Sequence, residues 1–255
     1  MFMKEDEMSI IQKKYPNLYK CVPSTANMIS ILRSYAEDAG QYELEARFGK
    51  MCGNKFIPGV DRVFMDTIIE WMQKSQFILG DDGWKEELDM YYDYMGKSLR
   101  TRVQYDHNNM MVNSCTTEKK MLMPSLTFYE FLGDKRGTND IRVSLKTEYE
   151  ICNPPVSINP TLVRVKQRRR FVTENNMWAF DFSMTWSGNS KSEAERLQMT
   201  EDATYEIECE LIDSYAYLQG CTDNHAALSI LLKMYDLLPS DSKFDCNLDD
   251  FLCNI

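Results

Sequence analysis

Two short runs place three charged side chains on one face of a strand. In Glu43-Leu-Glu45-Ala-Arg47-Phe48, Glu43, Glu45 and Arg47 take one face, and Leu44, Ala46 and Phe48 take the other. In Tyr205 to Leu211, Glu206, Glu208 and Glu210 oppose Tyr205, Ile207, Cys209 and Leu211. Same-face neighbours on a strand lie about 7 Å apart, so a row of carboxylates repels itself unless a cation intervenes. With only 2 His in the chain, the available donors are oxygens, and oxygen donors specify a hard ion, Mg²⁺ or Mn²⁺. The strands between carry the opposite sign. Arg164, Lys166, Arg168 and Arg170 share a face, as do Arg142, Ser144, Lys146 and Glu148, and Arg100 and Arg102. Arginines and lysines facing a hard cation form a site for polyphosphate.

These rows need a sheet to hold them. Tyr42–Phe48, Leu99–Tyr105, Ile141–Ile151, Val163–Phe171, Trp178–Thr185 and Tyr205–Ile212 alternate with a period of two, which predicts strands. Turn residues separate them, and Asn175-Asn176 predicts a hairpin. Helices flank the sheet. One follows a cap at Ser24 or Thr25 and ends at Asp38-Ala-Gly40. A second follows Pro58-Gly59, with Val63, Phe64, Ile68, Trp71 and Met72 as its stripe. A short one runs from Trp84 to about Tyr92, and the last covers Ala226 to Leu238. Residues 1–22 read as a loosely held arm, 23–240 as one domain and 241–255 as an acidic tail. The apolar strand faces need cover, which the amphipathic helices can supply from outside. If the sheet closes, the charged faces line its interior and the two acidic rows come together.

Composition narrows the functions. The net charge of −10, from 29 Lys+Arg against 39 Asp+Glu, argues against a broad nucleic-acid groove. The 8 Cys contain no C-x-x-C pair and no C-x5-R phosphatase loop. Gly96-Lys97-Ser98 lacks the earlier glycine of a P-loop, because Tyr91 stands there. The acidic N-terminus reads as no signal peptide, and no apolar run is long enough to span a membrane, which suggests an intracellular protein with reduced cysteines.

The chain resembles the triphosphate tunnel metalloenzymes, and within them the fungal, protozoan and large-DNA-virus mRNA-capping RNA 5′-triphosphatases. Glu43-Leu-Glu45-Ala-Arg47-Phe-Gly49 is similar to their first metal motif, and Glu206-Ile-Glu208-Cys-Glu210 to their last-strand glutamates. Asp140-Ile-Arg142-Val-Ser144 with Glu148 resembles the D-x-R-x-S-x-x-x-E strand, Lys166-Gln-Arg168 the K-x-R strand, and Asp181-Phe-Ser183 the D-x-T strand. The resemblance implies an α+β fold, a closed antiparallel eight-stranded β-barrel with helices packed outside. It implies Mg²⁺ or Mn²⁺ on Glu43, Glu45 and Glu210, with Glu208 beside them. Phosphate would be held by Lys166 and Arg168, by Arg100 or Arg102, and by Arg142, Arg170 and Ser183. Glu148, Glu206 and Asp181 would be catalytic, Glu148 or Glu206 orienting water.

The implied reaction removes the γ-phosphate from 5′-triphosphate RNA, with manganese-dependent nucleotide hydrolysis as a side activity. The implied partner is a separate guanylyltransferase, since no K-x-D-G motif is present. The location would be nuclear in a cell, or cytoplasmic for a virus that caps there. Two features depart from the family pattern: Ala179 replaces an arginine, and Ser183 a threonine. Lys120 is the candidate for a further tunnel lysine. The alternatives are a tunnel enzyme acting on free tripolyphosphate, thiamine triphosphate or a nucleotide, a non-catalytic polyanion-binding module, and a β-rich interaction protein with charged faces toward water.

Overall fold

A computed structural model describes residues 5–35, 42–75, 78–106, 108, 110–128, 139–151, 158–212 and 214–238. Ten strands and six helices follow in the order α1 (Glu5–Lys14), α2 (Pro16–Ser34), β1 (Tyr42–Cys52), β2 (Lys55–Pro58), α3 (Arg62–Lys74), β3 (Ile78–Tyr94), β4 (Lys97–Tyr105), β5 (Met111–Met121), β6 (Leu126–Phe128), β7 (Asp140–Glu150), β8 (Leu162–Thr173), β9 (Trp178–Gly188), α4 (Lys191–Thr200), β10 (Thr204–Leu211), α5 (Ser214–Gln219) and α6 (Asp223–Asp236).

The strands run β1-β10-β9-β8-β3-β4-β5-β7, and β7 pairs back onto β1, so eight antiparallel strands close into a barrel. The short strands β2 and β6 are flaps on β1 and β7. Closure sets Glu45 opposite Glu210 on one side and Ser144 on the other. The acidic first and last strands are therefore neighbours.

The barrel is lined with charge, and the main apolar core lies outside it. Leu44, Ala46 and Phe48 of β1, Ile141, Val143 and Leu145 of β7, and Ile207 and Cys209 of β10 are fully buried on the outer face. Met28, Ile29 and Leu32 of α2, Met65 and Ile68 of α3, and Ile230 and Leu231 of α6 belong to the same cluster. The opposite wall has thin cover: Leu88, Val103 and Val163 cluster with Ala194 of α4.

Several boundaries differ from the expected ones. The stretch expected as a helix from Trp84 is the strand β3, because Glu87 and Asp89 turn inward while Leu88 packs outward, and β4 and β8 pair with it on both sides. Tertiary pairing outweighs the helix preference of Lys85-Glu86-Glu87-Leu88. Residues 5–14 and 16–22 are helical where a loose arm was expected, and Ile11, Leu18 and Val22 are buried. Pro23 sits inside α2, where it forfeits one backbone hydrogen bond, and the buried stripe Leu18-Val22-Ala26-Ile29 carries the helix through it. The helix α4 was not expected; Ser190 caps it, its hydroxyl accepting from the Glu193 amide at 3.2 Å. The Asn175-Asn176 hairpin joins β8 to β9, with Asn176 at φ 56°. Gly96-Lys97-Ser98 begins at a hairpin turn in which Met95 (φ 50°) and Gly96 (φ 76°) are both left-handed, so it is no phosphate loop. The Asp38-Ala-Gly40 helix end and the 241–255 tail lie outside the described residues. Among the described residues, no helix is long and apolar enough to cross a membrane.

One buried cation lies in the outer core. Lys233 of α6 is 4% exposed. Its Nζ donates to Ser229 Oγ at 2.9 Å and sits 4.9 Å from the centre of the Trp178 ring. Burial pushes its pKa down to about 8. The unfolded chain then binds this proton more tightly, with a lysine pKa of about 10.4, so stability rises as pH climbs from about 8 to about 10. We expect Lys233→Met to abolish that rise, worth about 2–3 kcal/mol, in urea unfolding measured across this range.

Candidate active site

The lumen is a cavity of about 480 Å³ whose wall carries ten Arg and Lys side chains against seven Glu. Of the expected residues, Glu43, Glu45, Glu148, Glu206, Glu208, Glu210, Arg100, Arg102, Lys166, Arg168 and Arg170 all line it. Asp181 and Ser183 are buried in the β9 wall and reach the cavity through their neighbours. Arg142 does not line it. Its guanidinium stacks 4.5 Å from the centre of the Phe56 ring. Lys120 is exposed, and the lysine that lines the lumen is Lys119.

The carboxylates are held in pairs and triads. Glu45, 2% exposed, accepts from Ser144 Oγ at 2.9 Å, from Arg47 at 2.7 Å and from Lys146. Burial pushes its pKa up, but Arg47, Lys146 and Lys119 together hold it well below the usual carboxylate range. Arg47 also reaches Glu208 at 2.9 Å, and Lys119 joins Glu43 at 2.7 Å to Glu148 at 2.9 Å. Across the lumen, Asp89 accepts from Arg102 at 2.9 Å and pairs with Lys166 at 3.0 Å. Gln104 donates to Glu87 at 2.9 Å, and Arg168 stands 3.6 Å from the same carboxylate. Arg47, Glu87, Asp89, Gln104, Lys119 and Lys146 were not expected as site residues.

Some donors have no acceptor. The Nε groups of Arg47, Arg100, Arg164 and Arg168 in the wall, and of Arg142 beside it, are buried without a hydrogen-bond partner among the described residues. A buried unsatisfied polar group costs about 1–3 kcal/mol, and more when charged. A wall with this many open donors is organised for a ligand rich in acceptor oxygens.

Arg170 supplies charge near Ala179: it lies opposite Asp181, the next inward residue of β9. Ala179 lies opposite both Val172 and Glu210 on the inner face of β9. Arg170, from the next strand, donates to Asp181 at 2.8 and 2.6 Å and to Glu210 at 2.7 Å. Even so, the Glu210 pKa is pushed up to about 7, by burial first and then by Glu43 and Asp181. We expect Arg170→Gln to lower turnover roughly tenfold, as for loss of a group that orients a metal ligand, and Ala179→Arg in that background to restore part of it; initial rates with a triphosphate substrate check this.

A hard divalent cation fits the donor chemistry here. Glu43 and Glu45 share the inner face of β1, and Glu210 lies opposite Glu45 on β10. Among the described residues no three of these groups converge on one point, because each is drawn to a basic neighbour.

No family model matches the sequence, and no curated protein matches it. Solved structures do resemble the fold. The Pct1 RNA triphosphatase of S. pombe superposes with a TM-score of 0.58 at 15% identity, covering 84% of this chain and 91% of that one. The mimivirus capping enzyme triphosphatase superposes with a TM-score of 0.56 at 14% identity, covering 84% of this chain and 96% of that one. A closed eight-stranded tunnel with its charge inside and its helices outside is thus the fold that this chain shares with these RNA triphosphatase structures.

Proposed function

We propose that the protein removes the γ-phosphate from 5′-triphosphate-ended RNA in a metal-dependent hydrolysis. The observation that carries this reading is the set of buried guanidinium Nε groups without acceptors, facing a carboxylate row, inside a closed lumen. The lumen admits a narrow polyanion rather than a folded surface, and the likeness to RNA triphosphatase structures supports RNA as its bearer.

Glu43, Glu45 and Glu210, with Glu208 adjacent, would hold Mg²⁺ or Mn²⁺, which neutralises the charge of the transferring phosphoryl oxygens when bound. Lys166, Arg168, Arg100 and Arg102 face the developing charge on the phosphoryl group and hold the triphosphate in line. Asp89 and Glu87 fix the posture of Lys166, Arg102 and Arg168, so these cations need little reorganisation. Glu148, itself steadied by Lys119 and Arg100, is the carboxylate that orients the attacking water, and Glu206 faces Arg164 at 4.0 Å. Asp181 and Ser183 brace the wall behind Arg170 and Arg168. The resulting diphosphate end suits a guanylyltransferase on another chain. The setting is nuclear for a cellular protein and cytoplasmic for a virus that caps there.

The test is phosphate release from γ-labelled triphosphate RNA, with and without Mn²⁺, alongside ATP and inorganic tripolyphosphate. We expect release from RNA only with metal, a diphosphate-ended product, and slower cleavage of ATP with Mn²⁺. Turnover of tripolyphosphate with none on RNA would contradict the assignment.

A further inference from the structure

The two ends of the tunnel differ. Along β3 the inward row runs Lys85, Glu87, Asp89, Tyr91, and on the antiparallel β8 Arg168 lies opposite Lys85 while Arg164 lies opposite Asp89. Tyr91 and Arg164 therefore mark one end, and Lys85 and Arg170 the other. Arg164 approaches Glu206 at 4.0 Å, which puts Glu206 at the Tyr91 end and Glu210, beside Arg170, at the opposite one. On β1, Arg47 is opposite Glu208 and Glu45 opposite Glu210, so β1 runs toward the Tyr91 end through Arg47 and Gly49. Arg142, opposite Arg47, belongs to that end too.

Two guanidinium-on-aromatic stacks frame this mouth. Arg142 lies 4.5 Å from the centre of the Phe56 ring, and Arg164 lies 5.4 Å from that of Tyr91. Both arginines have an Nε without an acceptor. Tyr91 is the one aromatic among the described residues lining the cavity. Phe56 is seated by design of the backbone: a Cβ on Gly49 would meet its ring at 2.6 Å, so the missing side chain lets β2 fold the ring over the mouth. Planar rings and planar cations beside a phosphate channel are what nucleobases stack on and phosphodiesters pair with.

We infer that this mouth is the entry side and binds the first nucleosides of the chain, Phe56 and Tyr91 offering base-stacking faces while Arg142 and Arg164 take the α-phosphate and the following phosphodiester. This inference rests on the proposed triphosphatase reading and adds its direction: the γ-phosphate lies toward Glu43 and Glu210, and the nucleic acid leaves past Phe56. It also assigns the residues that separate RNA from inorganic tripolyphosphate, which has no base to stack.

The experiment compares kcat/KM on triphosphate-ended RNA and on inorganic tripolyphosphate, for wild type, Phe56→Ala, Tyr91→Leu and Lys85→Ala, with thermal melts to verify folding. Phe56→Ala and Tyr91→Leu are expected to lose about tenfold more on RNA than on tripolyphosphate, mainly through KM. Lys85→Ala, at the far end, is expected to lower both substrates by the same factor. Equal losses on both substrates in the Phe56 and Tyr91 variants, or no loss, would overturn the inference while leaving the triphosphatase reading intact. An RNA-selective loss in Lys85→Ala would place entry at the opposite mouth and overturn it as well. Wild type turning over neither substrate would refute the triphosphatase reading and this inference together.

Discussion

Glu45→Gln is expected to lower metal-dependent phosphate release at least about a hundredfold while leaving a folded protein. The magnitude is that of removing one preorganised charged group from a buried site, commonly 10² to 10³ in kcat. Glu45 has the highest stake of the lumen carboxylates, because Ser144, Arg47 and Lys146 all converge on it and it stands opposite Glu210. Glutamine keeps the shape and one acceptor oxygen but loses the charge on which a divalent cation depends. Arg47 retains Glu208 at 2.9 Å, so the wall is not left with an unpaired arginine and the fold survives. Steady-state rates with circular dichroism on the same samples check both halves, and full activity in a folded variant would exclude Glu45 from the site.

Asp89→Ala is expected to be the most destabilising single change in the tunnel, by about 3–5 kcal/mol, or roughly 10 °C in melting temperature. Asp89 is completely buried and compensates Arg102 and Lys166 at once. Burial raises its pKa, but Lys166 and then Arg102 pull it far below the usual carboxylate range. A depressed folded pKa contributes stability that is present above the unfolded value of about 3.9 and is lost as pH falls below it. Wild type should therefore lose stability on acidification from about pH 5 downward more steeply than the variant. Inorganic tripolyphosphate should raise the melting temperature of Asp89→Ala more than that of wild type, because the ligand replaces the missing negative charge. Differential scanning calorimetry across pH, with and without the ligand, reads all three outcomes.

What the sequence revealed depended on whether a strand's outer face is covered. β1, β4, β7, β8, β9 and β10 show a period of two; all of these but β4 carry outer residues in the main core under α2, α3 and α6, and β4 buries Leu99 and Val103. β3 and β5 lack such cover. β5 spans Met111–Met121 and exposes its first four residues, Met111 and Val112 among them, and β3 has only the small Leu88 cluster outside it. With water on one face and charge on the other, neither strand displays an apolar alternation, so β3 read as a helix and β5 did not stand out.

The site divides in a similar way. The acidic rows and Lys166-Gln-Arg168 were legible because each lies on one strand at spacing two. The counter-ions were not, since the pairing of Lys119 with Glu43 spans 76 positions and that of Lys146 with Glu45 spans 101. Only barrel closure brings these partners together. The exchange of Lys120 for Lys119 is a one-residue shift in strand phase, which moves a side chain from the lumen to the outside. Arg170 of β8 bridges Asp181 of β9 and Glu210 of β10, a link across three strands that spacing along the chain does not display.

On the proposed function, the tunnel binds a triphosphate together with a divalent cation at the β1–β10 carboxylates. Crystals soaked with Mn²⁺ and inorganic tripolyphosphate test it most directly, through the anomalous signal of manganese. The account predicts one strong peak inside the barrel within bonding distance of Glu43, Glu45 and Glu210, with phosphate density running from it past Lys166 and Arg168. Manganese bound only outside the barrel, or phosphate density in the lumen with no metal at those three glutamates, would contradict it.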